Sequence, residues 1–117
     1  MEFSVDAHGD VEVLALRGPI HAEDNDKFAE VLDGLRKRQR YRVAIDGEKL
    51  DYMNSRALGT LVAFSRDARI GGGRVVMIRP SPTVSKIMKS SGLLSLMPAF
   101  DDLRDAIGSF GEGRKED

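Results

Sequence analysis

"RVAIDGEKLDYMNSRALGTL", Arg42–Leu61, is the stretch whose reading decides the fold. Its opening, "RVAID", places Val43, Ala44 and Ile45 in a continuous apolar run, as a central strand covered on both faces requires. "GEKLDYM" then reads as a loop. Asn54 follows as a helix N-cap, with Met53 at N′ and Leu58 at N4, the two positions of a hydrophobic staple. Leu58, Leu61, Val62 and Ser65 set the inward face of that helix. Ser55 stands at the junction of loop and helix, beside Arg56. Two readings of this hydroxyl stay open. One is a plain helix-start residue. The other is a site where a phosphate is attached and removed, since free N–H groups and the helix dipole tolerate an anion there.

Outward from this stretch the pattern alternates. Upstream, "FSV" and "VEVLAL" are β-like runs joined through "AHGD", whose Gly9 suits a hairpin. "RGPI" closes the second strand. In "HAEDNDKFAEVLDGLRKRQR", Phe28, Val31, Leu32 and Leu35 fall at i, i+3, i+4 and i+7, one helix face. Acids (Glu23, Asp24, Asp26) open this segment and bases (Arg36, Lys37, Arg38, Arg40) close it, matching the helix dipole. The basic run therefore reads as solvated surface and not as a nucleic-acid patch. Downstream, Gly71 is the expected C′ residue of the central helix. "RVVMI" is a strand. "RPSPTVSKIMKSSG" is a helix capped by Ser81, with Pro82 at N1, Gly92 at its end, and Val84, Ile87 and Met88 inward. "LLSLMP" reads as a final strand. "AFDDLRDAIGSF" reads as a last helix, with Asp101 near its cap and Leu103, Ala106, Ile107 and Phe110 inward. The order β-β-α-β-α-β-α-β-α predicts a single α/β domain over residues 1–110. Its sheet would be mixed and five-stranded, with about four helices packed on it. Residues 111–117, "GEGRKED", are expected to form a disordered polar tail.

Composition narrows the function. The 117 residues are 41% apolar and 32% charged, the balance of a globular chain that can bury a core unaided. The formal net charge of −1 gives no electrostatic case for nucleic acid. Cysteine is absent, which removes disulfides and thiolate chemistry. "MEFSVDAHGD" is too acidic and too short of apolar length for a signal peptide, and no run reaches the ~20 residues of a membrane helix. The expected location is the cytoplasm, with no direct membrane insertion. His8 and His21 lack metal-ligand spacing. "GGG" at Gly71–Gly73 follows a helix and precedes a strand, the reverse of a phosphate loop. No nucleophile motif is present, so neither an enzyme nor a cofactor is expected. Asp46, Glu48 and Asp51 form an acidic group after the third strand. A receiver domain would also need an acidic pair after "LALRGPI" and a lysine near "LMPAF", and both are missing.

Arg42–Leu61 resembles the signature of the STAS family of anti-sigma-factor antagonists. That signature has a strand ending in Asp, a loop, then an apolar-apolar-Asp-Ser-Ser/Thr-Gly-Leu-Gly run opening a helix. Here Asp46 takes the strand-end place and "YMNSRALG" the run. "LRGPI" is similar to the family's Leu-x-Gly-x-Leu/Ile, and the likeness extends over about residues 1–110. The resemblance implies a mixed sheet with helices against it, and a phosphoacceptor at Ser55. It implies a partner that is both anti-sigma factor and serine kinase, of the histidine-kinase-like ATPase fold, and a serine phosphatase that restores the hydroxyl. It also implies partner contacts at His21, Asp46, Gly47, Asn54, Arg56 and Ala57. The chain departs from the pattern at four of these: Asn54 stands where Asp is usual, Arg56 replaces a small hydroxyl residue, Ala57 replaces Gly, and His21 replaces an Asp found in many members. The alternative the resemblance allows is a STAS scaffold or accessory subunit of a signalling or lipid-transport complex, without phosphorylation.

Overall fold

The computed structural model describes residues 1–114. Its five strands are β1 (Glu2–His8), β2 (Val11–Ile20), β3 (Arg42–Met53), β4 (Arg74–Ile78) and β5 (Ala99–Phe100). They lie side by side in the order β1-β2-β3-β4-β5. β1 is antiparallel to β2, and every other neighbouring pair is parallel. The hairpin closes tightly, with His8 paired to Val11 and Gly9 at φ 64°, a conformation that favours glycine. Four helices complete the α/β domain: α1 (Asn25–Lys37), α2 (Ser55–Ile70), α3 (Pro82–Ser90) and α4 (Leu103–Arg114).

The apolar run of β3 is divided between two cores, as a strand with no wet face must be. Val43 and Ile45 join Phe28, Leu32, Leu35, Leu61, Phe64, Val84 and Met88 on the face covered by α1, α2 and α3. Ala44 joins Val11, Val13, Val76, Ile78, Ala106 and Phe110 under α4 on the other face. Phe28 and Phe64 are fully buried. Each such side chain contributes roughly 1.5–3 kcal/mol of burial free energy.

The structure departs from the sequence reading in places that have physical causes. "GEKLDYM" is not a loop but the second half of β3, paired to Arg17–Ile20 with register shifts after Ala15 and Gly18. Pairing with β4 stops at Asp46 and Ile78, and Ser81 takes over that edge. Its N–H donates to Gly47 O (3.2 Å) and its hydroxyl to Leu50 O (2.6 Å). Residues 93–95 of "LLSLMP" form a 3-10 turn, and the last strand is Ala99–Phe100. The cap of α4 is Asp102, the residue after Asp101: its carboxylate accepts from Asp105 N at 2.8 Å. That helix runs on to Arg114, through residues 111–114 of the expected tail, and residues 115–117 lie outside the described part. Gly72 (φ 88°), one position beyond Gly71, supplies the left-handed turn after α2. The basic run is also more than solvated surface. Arg38 and Arg40 both pair with Glu12, whose side chain is only 4% exposed.

Candidate functional site

The site is built where β3 hands over to α2. Asn54 caps the helix, its Oδ1 accepting from Ala57 N at 2.8 Å. Its Nδ2 donates to Ile20 O and to Asn25 Oδ1, both at 3.1 Å, and its backbone N–H also donates to Ile20 O, at 3.2 Å. One side chain thus ties the end of β2 and the starts of α1 and α2 together. Met53 is buried and Leu58 half-buried in the same core, as the staple positions require.

On this fixed frame Ser55 is the first residue of α2, and it is exposed. Its hydroxyl has no hydrogen-bond partner among the described residues. Arg56 is also exposed, with no ion pair among them. The first turn of α2 contains no acidic residue, so nothing there offsets the positive end of the helix dipole. An accessible hydroxyl at a helix N-terminus is placed where free N–H groups and the dipole tolerate a phosphoryl group.

His21 sits at the end of β2, exposed, its backbone N–H donating to Asp24 Oδ2 at 3.0 Å. That N–H holds the Asp24 carboxyl below the usual carboxylate range, with smaller lowering from the terminal ammonium and the His21 ring, against some raising by burial. The His21 ring rests on Tyr52, with centroids 5.8 Å apart. Tyr52 is 40% exposed and extends the surface around Ser55 along β3. The sequence reading missed it, although an aromatic ring in a charged stretch two residues before the cap was a usable signal.

Asp46 and Gly47 lie away from this place, and Ala57, in the first turn of α2, contributes only its backbone N–H. Asp46 pairs in register with Ala15, five residues before Ile20, which pairs with Met53. About 16 Å of strand therefore separates Asp46 from the end of β3, and it does not stand beside Ser55. Its Oδ1 accepts from Glu48 N at 3.2 Å, the local turn role. With Arg17, Glu48 and Lys49 it lines a depression of about 200 Å³ on the sheet. Gly47 is buried, and a Cβ there would lie 3.1 Å from Met77 Cε. Ala57 is 0% exposed. Neither Gly47 nor Ala57 can offer a side chain to a partner. Among the described residues, no three His, Asp or Glu side chains are grouped to hold a metal. No described helix is long and apolar enough to cross a membrane.

Comparison with known proteins agrees with the fold that carries this site. The family model described as the STAS domain matches residues 2–106. The anti-sigma F factor antagonist of Paenibacillus polymyxa is 22% identical over 108 residues, which cover 92% of each chain. An anti-sigma factor antagonist from Mycobacterium paratuberculosis superposes with a TM-score of 0.83 at 18% identity, over 93% of this chain and 92% of that one. SpoIIAA has been solved in two forms. The unphosphorylated form gives a TM-score of 0.77 at 23% identity, over 91% of this chain and 93% of its own. The phosphorylated form, from Bacillus, gives 0.73 at 21%, over 92% and 98%. At these identities the structural likeness establishes the fold.

Proposed function

The chain belongs to the STAS domain family, and from that membership we propose that it is an anti-sigma-factor antagonist acting as a partner switch. In this reading the surface around Ser55 docks on an anti-sigma factor that is a serine kinase of the histidine-kinase-like ATPase fold. Docking releases the sigma factor. The kinase phosphorylates Ser55, the complex separates, and a serine phosphatase resets it. The protein itself performs no chemistry in this cycle and needs no cofactor. The observation that carries the reading is the exposed Ser55 hydroxyl at the first position of α2, on a frame locked by Asn54. That frame need not move for the switch to work. A phosphate adds about −1.5 to −2 charges, and a tenfold loss of affinity needs only about 1.4 kcal/mol of repulsion and desolvation.

Affinity isolation of the tagged chain from its native cells, followed by mass spectrometry, tests the proposal. The expected result is an ATPase-fold kinase in the eluate and a fraction of the chain carrying phosphate on Ser55. The Ser55→Glu variant should then bind the recovered kinase at least about tenfold more weakly. A different stoichiometric partner, with Ser55 unmodified after ATP and magnesium are added to the complex, overturns it. That outcome favours the second reading, a STAS scaffold or accessory subunit. Arg56 is the residue that favours that reading, because it stands exposed where the family pattern has a small hydroxyl residue.

A further inference from the structure

We infer that two copies of this chain associate through their β1 strands, antiparallel about a two-fold axis at Val5, so that two five-stranded sheets become one. The sheet has two edges. One is β5, only two residues long. The other is β1, seven residues in unbroken register with β2 and, among the described residues, unpaired on its outer side. Edge strands are normally protected by shortness, proline, a bulge, cover or charged side chains. β1, "EFSVDAH", is long, free of proline and unbulged, and its only acids, Glu2 and Asp6, alternate onto the face away from Phe3 and Val5. It also leaves Phe3 39% exposed. Phe3, Val5 and Val31 floor a groove of about 290 Å³ between β1 and α1, with Lys27, Glu30 and Arg38 at its rim.

Self-pairing of β1 is restricted to one good register. Facing residues in an antiparallel pair must turn their backbone groups the same way, and these directions alternate along a strand. A symmetric pair therefore places its axis at a residue and never between two. An axis at Ser4 sets Glu2 against the partner's Asp6, and an axis at Asp6 sets that aspartate against its own copy. Like charges directly opposite each other are unfavourable. An axis at Val5 uses the whole strand. Phe3 then meets Ala7 and Val5 meets Val5 on the α1 side. Glu2 meets His8 and Ser4 meets Asp6 on the other. No like charges face each other, and the two apolar stripes join. The self-complementary register, with each acid facing a hydrogen-bonding partner (His8 or Ser4) and the apolar stripes in line, selects a second copy as the occupant. A single strand pair covers less surface than a standard stable interface, so the association is weak and depends on concentration.

Analytical ultracentrifugation of the full chain over a wide concentration range tests the inference, with charge-swapped variants at exposed positions. Wild type should move from monomer toward twice that mass as concentration rises. His8→Glu should weaken association about tenfold, because it places two acids opposite each other twice in the symmetric pair. Adding Glu2→Lys to His8→Glu should restore it. A chain that stays monomeric up to millimolar concentration overturns the inference, as it would if β1 served a strand of another protein. Association that ignores both variants overturns it equally, since the copies would then meet elsewhere. The assay does not involve Ser55, so its failure is distinct from failure of the switch.

Discussion

Asn54 Nδ2 donates to Ile20 O at 3.1 Å, so a side-chain amide at the start of α2 holds the end of β2. The same nitrogen reaches Asn25 Oδ1, which makes Asn54 a three-way clamp and not a simple cap. An aspartate would keep the cap but lose both donors and set a carboxylate oxygen against Ile20 O. Its charge would recover part of this through the helix dipole. Asn54→Asp should therefore destabilise the fold by about 1 kcal/mol, and Asn54→Ala by about 2 kcal/mol, because it loses the cap as well. Urea denaturation measures both, as lower midpoints at an unchanged slope. A more stable aspartate variant would show that the clamp is unimportant.

Glu12 lies on β2 with its carboxylate closed in between Arg38 (3.3 Å) and Arg40 (3.0 Å). Removing both cations leaves a buried charge with its solvation lost. The double variant Arg38→Ala/Arg40→Ala should cost about 3 kcal/mol. Adding Glu12→Gln to that pair should recover a good part of the loss, since a neutral amide is cheaper to bury than an unpaired carboxylate. If thermal melts of the double and triple variants coincide, Glu12 is already solvated and the ion pairs are incidental.

Most of the fold was legible because its elements carry strong periodic or capping signals. Phe28, Leu32 and Leu35 mark α1, Ser81 and Pro82 open α3, and Asn54 caps α2. What stayed hidden depends on long-range pairing. "GEKLDYM" has the charge and glycine of a loop, and only partners distant in sequence, Arg17–Ile20 on one side and Ser81 on the other, hold it as strand. β5 is two residues long because it needs only to meet Met77 and Ile78, and no local pattern encodes that. At the site, Ser55, Asn54 and Arg56 were readable because a helix start is local. The distance of Asp46 from them was not, because it depends on the hidden half of β3. The burial of Glu12 was not readable either, because the arginines that cover it, Arg38 and Arg40, are distant in sequence.

Gly71–Gly73 resembles a flexible loop, yet two of its glycines are packing requirements. A Cβ on Gly73 would lie 2.1 Å from the Tyr41 carbonyl oxygen, a backbone atom whose acceptor role to Arg74 N (2.8 Å) fixes it in place. Gly73→Ala should cost about 3 kcal/mol, the upper end for overpacking, because backbone must shift. Gly34→Ala is the contrasting case. That position lies inside α1 with nothing within 4 Å of the added methyl, so the change should stabilise by about 0.5–1 kcal/mol. Differential scanning calorimetry should move the two variants in opposite directions. Equal shifts would mean that the triple glycine gives way and the close approach to Tyr41 is not required.

Asp24 provides the pH dependence. The His21 N–H favours its ionised form, so its folded pKa lies below the ordinary value of 3.8. For an acid depressed in this way, the unfolded chain takes up the proton first as pH falls. The stabilisation is therefore fully present above the unfolded pKa of 3.8 and is lost as pH drops through the lower folded value. Asp24→Asn removes the linkage. The gap in melting temperature between wild type and Asp24→Asn should be constant at neutral pH and should close only below about pH 4. The variant should also loosen the join between β2 and α1, where His21 meets Tyr52, and broaden the His21 ring signals in NMR spectra. A gap that stays constant well below pH 4 would show that the His21 N–H does not favour the ionised Asp24 carboxylate.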